Sequence, residues 1–241
     1  DVQPGFQVGP KRIRDTYRDT WLTVRGIIKR SSNIGTVKIA LKLGREKLYA
    51  ALQDYGFGRK SGIELPGEQP GSLRGGKWRE IELATISYGY GVTVTPLQIA
   101  AALAAIGNHG EYRAPRIVER ITDRGGAVRH EASSEPRQVM KPATAEALRE
   151  MLGSVFEGGK EGGTASSIVI PGFRAGGKTG TAHKYDPTIR AYSTNKYLSS
   201  FAGLVPIDRP RLAIVVLVDE PTGGAYYGGK VAGPVFATVA S

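Results

Sequence analysis

Two short stretches carry side chains suited to moving protons and holding an anion. Ser31-Ser32-Asn33 places two hydroxyls and an amide at a helix start, and Lys178-Thr179-Gly180-Thr181 places a cation and two hydroxyls on a strand. Either stretch alone says little, because Ser-x-Asn recurs by chance as a helix cap. A rival pattern overlaps the second stretch. Gly172-Phe173-Arg174-Ala175-Gly176-Gly177-Lys178-Thr179 fits the phosphate-binding loop G-x-x-x-x-G-K-[ST] residue for residue. The apolar run Leu212 to Val218, followed by Asp219-Glu220, fits the acidic strand that accompanies such loops in ATPases.

The flanking elements decide between the two readings. A phosphate-binding loop opens directly into a helix whose N-terminal amides hold the phosphates. After Thr179 the chain reads Gly180, Thr181, Ala182, His183, Lys184, Tyr185, Asp186, Pro187, which is poor helix material without an apolar stripe. Residues 178–184 read instead as a strand, joined by strands over 197–205 and 212–218. The last is an unbroken apolar run, as expected of a strand buried on both faces. Pro187 and the polar residues after it predict a long loop between the first two strands. Upstream the pattern is helical. Ile34, Val37 and Leu41 follow Ser32 at helical spacing, with Gly44 as a stop. A second helix shows Leu48, Leu52 and Tyr55 on one face and ends at Gly56. Thr95, Pro96 and Gln98 form a capping-box start for a third, which runs to about Gly107. A fourth carries Leu148, Met151, Leu152, Val155 and Phe156 and stops at Gly158-Gly159. Trp21, Leu22 and Val24 hint at a short strand, residues 56–76 read as loop, residues 111–140 as a strand-and-turn excursion, and Pro234 as the opening of a last helix. Helices first and adjacent strands last predict an α+β layer.

The chain has 241 residues, 40% of them apolar, enough for one core, so residues 1–241 read as one domain. It has no cysteine, which excludes disulfides and thiolate metal sites. His109, His130 and His183 are scattered, and no metal site is expected of them. The net charge of +11 is spread along the chain without a recognition helix or finger spacing, so nucleic acid is not expected as a partner. No apolar run approaches the ~18 residues of a membrane span. The chain opens at Asp1 without a signal-peptide pattern.

Taken together, the two stretches match two of the three signature elements S-x-x-K, S-x-N and K-T-G, in order. KRSSNIGTVKIALKLG (29–44), YGYGVTVTPLQIAAALAAIGNHG (88–110), GKTGTA (177–182), SSFAGLVP (199–206) and VVLVDEP (215–221) extend the likeness over the chain. The sequence resembles the class B penicillin-binding proteins, above all the cell-division transpeptidases of Gram-negative bacteria. The resemblance implies an antiparallel sheet of about five strands flanked by helices. It implies peptidoglycan D,D-transpeptidation, in which a serine attacks the bond between two D-alanines and an amine resolves the acyl-enzyme. It implies no cofactor, stem peptides ending in D-Ala-D-Ala and β-lactams as ligands, divisome membrane proteins as partners, and a periplasmic location at the inner membrane through an N-terminal anchor. By the same resemblance, Ser31 relays a proton and Asn33 bonds the substrate amide. Lys178 sets a positive potential over the substrate carboxylate, and Thr179 and Thr181 offer it hydroxyls. The Thr181 N–H serves as an oxyanion donor, a group whose loss typically costs ~3 kcal/mol. Gly180 keeps the strand edge clear of side chains. Tyr197, Tyr226 and Tyr227 match an aromatic wall, with ordinary packing an equal alternative for Tyr226. Tyr88 and Tyr90 read as packing residues.

The family's S-x-x-K is missing where it belongs, since no serine precedes Ser31. The one Ser with Lys three residues on, Ser193–Lys196, follows K-T-G in the expected loop and reads as a chance match. The expectation is a chain without its nucleophile, inactive alone, whose upstream segment carries Ser-x-x-Lys. A peptidoglycan-binding pseudoenzyme and a P-loop ATPase are the alternatives.

Overall fold

The computed structural model describes residues 1–3, 5–132 and 135–241. The chain opens with a small ribbon of β1 (Phe6–Val8) and β2 (Lys11–Ile13). Helices α1 (Val24–Arg30), α2 (Asn33–Leu43), α3 (Arg45–Asp54), α4 (Glu80–Ser87) and α5 (Pro96–Gly107) follow. Four short strands come next: β3 (Glu111–Tyr112), β4 (Arg120–Thr122), β5 (Val128–Glu131) and β6 (Arg137–Gln138). Helix α6 (Pro142–Gly153) leads through a 3₁₀ turn, Ser154–Phe156, to β7 (Gly176–Asp186), β8 (Ala191–Val205) and β9 (Leu212–Asp219), and α7 (Gly228–Ala240) closes the chain.

The starts of α2 and α5 follow from their caps. Ser32 Oγ accepts the Gly35 N–H at 2.9 Å, and Thr95 and Gln98 exchange the two bonds of a capping box around Pro96. Two helices escape the sequence pattern. Helix α1 has no buried residue and begins at Val24, where a strand was expected. Helix α4 spreads Ile81, Leu83, Ala84 and Ile86 around its axis between Glu80, Glu82, Thr85 and Ser87, so it shows no stripe.

The main sheet is antiparallel in the order β7-β8-β9. It has three strands among the described residues rather than about five, because the short strands pair only among themselves as β1-β2, β3-β6 and β4-β5. Period-two alternation sends Phe201 and Leu204 of β8 to opposite faces. On one side Phe201 meets Phe236 of α7 with ring centroids 4.6 Å apart, inside a cluster with Val155, Ile168, Val205 and Ala232. On the other side Leu204 packs with Leu103 of α5 and Leu152 of α6. A second core joins the β1-β2 ribbon to α2 and α4 through Val8, Ile13, Ile34, Val37 and Ala84.

Three boundaries differ from expectation. β7 and β8 run on past Lys184 and start before Tyr197, so Pro187 sits in a short turn at the tip of a long hairpin. Strand pairing with a bulge at His183/Tyr185 carries these polar residues where burial does not. β9 is an edge strand with Leu212 and Leu217 exposed, so it is not buried on both faces. Helix α7 begins at Gly228, with Pro234 inside it; the glycines before Lys230 masked the first turn.

Candidate active site

The junction of α1 and α2 is bent by Ser31, which takes a left-handed conformation (φ 57°, ψ 48°) while its N–H bonds back to α1. Ser31 therefore ends one helix, and Ser32 caps the next, so the hydroxyl of Ser31 is not spent on capping. Asp15 fixes this corner from outside: it accepts the Ser32 hydroxyl at 2.5 Å and the Ile34 N–H at 2.9 Å. Asn33 donates its Nδ2 to the Arg14 carbonyl at 3.1 Å.

Strand β7 brings the second stretch to the same place. Lys178 Nζ donates to Ser31 Oγ at 2.6 Å and to the Thr179 carbonyl at 3.0 Å. Burial without a carboxylate partner pushes the Lys178 ammonium down to about 8. A lysine tuned to that range can hold or yield a proton near neutral pH, and the Ser31 hydroxyl is its contact. Thr179 Oγ1 donates to Thr164 Oγ1 at 2.9 Å, and Thr181 Oγ1 accepts the Gly228 N–H at 3.0 Å, which leaves the Thr181 hydroxyl proton for another acceptor.

The edge of β7 away from β8 is unpaired in the sheet. His183 donates its backbone N–H off this edge, to the Tyr90 hydroxyl at 3.0 Å. Backbone groups alternate edges every residue, so the Thr179 and Thr181 amides face the same free edge. A Cβ on Gly180 would press on the Ser200 hydroxyl of β8, which can rotate away, whereas a Cβ on Gly228 would overlap the Gly180 and Ser200 carbonyls. Gly228 thus lets α7 seat against β7, and the first turn of α7 then borders the cleft.

The cleft holds about 660 Å³ and is lined by Ser31, Asn33, Thr179 and Thr181 among others. One wall is aromatic. Tyr197 stacks on Tyr226 with centroids 4.1 Å apart and planes 12° apart, Tyr226 continues to Tyr227 at 4.6 Å, and His183 lies on the other side of Tyr197 at 4.7 Å. Tyr226 is thus the middle of the stack and lines the cleft. Tyr88 and Tyr90 also reach the cleft, beyond the packing role expected of them. Sequence reasoning missed Thr16, Tyr17, Arg30, Thr164, His183 and Lys230. Arg30 has the clearest tie, covering the Tyr17 ring at 4.0 Å and pairing with Asp19 at 3.2 Å. Thr164 sits in a Gly-rich segment that carries no motif, and His183 had only its place after K-T-G as a signal.

The rival readings fail on geometry. Thr179 lies inside β7, so no helix opens behind it to hold a phosphate, and Asp219 pairs with Lys184 at 2.7 Å. Ser193 lies on β8, not in a loop; its Oγ accepts the Lys196 N–H at 3.1 Å, while Lys196 Nζ pairs with Glu220 at 3.5 Å. That pair is not a nucleophile with its base.

Comparisons with known proteins identify relatives over nearly the whole chain. A probable peptidoglycan D,D-transpeptidase of Neisseria gonorrhoeae is 37% identical over 237 residues, 98% of this chain and 38% of that protein. The peptidoglycan D,D-transpeptidase FtsI of Escherichia coli is 35% identical over 235 residues, 97% of this chain and 37% of that protein. The chain thus spans well under half the length of these relatives. Penicillin-binding protein 3 of Mycobacterium tuberculosis, in complex with aztreonam, superposes with a TM-score of 0.91 at 30% identity, over 99% of this chain and 55% of that one. The transpeptidase domain of penicillin-binding protein 3 from Burkholderia pseudomallei gives 0.86 at 38% identity, over 98% and 68%. Residues 1–241 match the family described as the penicillin binding protein transpeptidase domain, and the chain belongs to that family.

Proposed function

We propose that this chain forms the anion-holding and proton-relaying part of a peptidoglycan D,D-transpeptidase site. The observation that carries the reading is the part-buried Lys178–Ser31 contact of 2.6 Å beside the free edge of β7. An acyl peptide laid antiparallel along that edge puts its terminal carboxylate near Lys178, Thr179 and Thr181. Its scissile carbonyl then faces the Thr181 N–H, which stabilises the oxyanion that develops there. Ser31 passes a proton between Lys178 and the departing D-alanine nitrogen, and Asn33 holds the substrate amide. Tyr197, Tyr226 and Tyr227 cover the apolar side of the donor peptide.

The nucleophilic serine and its lysine belong, on this reading, to a segment outside these 241 residues that seats against Ser31. The full protein then cross-links septal peptidoglycan from the periplasmic face of the inner membrane, among the membrane proteins of the division machinery. β-Lactams enter the same site as mimics of D-Ala-D-Ala.

A fluorescent penicillin tests this. It should not label the 241-residue chain and should label a version extended through an upstream Ser-x-x-Lys, with Lys178→Ala in that longer version lowering the labelling rate by about 100-fold or more. Stoichiometric labelling of the 241-residue chain would contradict the assignment.

A further inference from the structure

The bond between the His183 N–H and the Tyr90 hydroxyl lies on the free edge of β7, in register with Thr179 and Thr181. An antiparallel peptide with its carboxylate at Thr179 runs its upstream residues toward His183. There it meets a phenol in the position where the edge would offer its next backbone donor. Tyr90 is held in that position from two sides. Its ring packs edge-on against Tyr192 at 4.9 Å and Tyr88 at 5.8 Å, and the Tyr192 hydroxyl accepts the Gly91 N–H at 3.3 Å. Gly89 and Gly91, with φ of 101° and 81°, turn the chain sharply on either side of Tyr90 and aim its ring at the strand.

We propose that Tyr90 is a length stop on the ligand strand. It limits backbone pairing to the Thr179–Thr181 part of the edge, so the site reads the last residues of an acyl peptide and leaves the upstream residues unpaired. This makes Tyr90 a specificity-determining residue, and it rests on the reading of the cleft as the seat of an extended peptide ending in D-Ala-D-Ala. The logic is that of strand addition, where main-chain bonds give affinity and their number depends on how far the edge stays open.

The test uses the isotopically labelled 241-residue chain, N-acetyl-D-Ala-D-Ala, and an N-acetylated pentapeptide with the same terminus. Affinity and His183 amide exchange are measured for the parent, Tyr90→Ala and Tyr192→Phe. In the parent the two peptides bind with similar affinity, and the His183 amide is protected with or without ligand. In Tyr90→Ala, which removes both the hydroxyl and the ring behind it, the free His183 amide exchanges faster, the pentapeptide restores its protection, and the pentapeptide binds about fivefold tighter while the dipeptide is unchanged. Tyr192→Phe loosens the loop but keeps the phenol of Tyr90, so it shows no length-dependent gain. Equal gains for both peptides in Tyr90→Ala, or the same length-dependent gain in Tyr192→Phe, overturn the length stop. Binding of neither peptide to any form overturns the peptide-site reading and the length stop with it.

Discussion

Ser31 and Lys178 lie 147 positions apart in the chain and 2.6 Å apart in space. The cost of that contact is carried by the lysine, which is part-buried and desolvated with no carboxylate bonded to it. Its folded value of about 8 lies below the 10.5 of an ordinary lysine, so between those pH values the unfolded chain binds the extra proton. The penalty is therefore in full force below about pH 8 and is relieved as pH rises toward 10.5. Lys178→Met is expected to raise stability at pH 7 by about 1–3 kcal/mol and to flatten the rise toward high pH, as read by urea unfolding at pH 7 and pH 10. An unchanged pH profile would mean that Lys178 is solvated. Both partners of this pair were legible in the sequence as members of motifs. Their meeting was not, because nothing local records a contact between a helix junction and a strand laid down so much later.

At the scale of elements, two short features hold the site in shape. Asp15, in the irregular chain after β2, receives both the Ser32 hydroxyl and the Ile34 N–H. Asp15→Asn is expected to lower stability by about 1 kcal/mol and to loosen the Ser31 corner, seen as faster amide exchange at Ile34 and Gly35. The second feature is the glycine contact between α7 and β7. Gly228→Ala would drive a methyl into the Gly180 and Ser200 carbonyls, with an expected loss of about 1–3 kcal/mol or more in denaturant melts. Unaltered stability would show that α7 has room to shift. The sequence announced α2, α5 and α6 by their caps and stripes, and β7, β8 and β9 by their composition. It hid α1, which buries no residue, and the first turn of α7, which is built from glycines that normally stop a helix.

Two of the apolar clusters among the described residues, one on the β7-β8-β9 sheet and one joining β1, β2, α2 and α4, belong to the elements that line the cleft. That layout explains why the α+β class could be read from element order while the strand count could not. The motif strands are visible in sequence, but whether further strands join their sheet depends on pairing partners, and here the short strands pair with one another. It also explains the false phosphate loop: Gly172 to Thr179 has the right residue types, but β7 runs straight through Thr179. Magnesium-ATP is accordingly expected to leave the amide spectrum of residues 172–180 unchanged. The central claim is that Ser31, Asn33 and residues 178–181 form one seat for a D-Ala-D-Ala terminus on the free edge of β7. Titrating the labelled chain with N-acetyl-D-Ala-D-Ala tests it most directly. Saturable shifts centred on the amides of Ser31, Thr179 and Thr181 are predicted, lost in Lys178→Ala; shifts centred elsewhere, or none at any concentration, would contradict it.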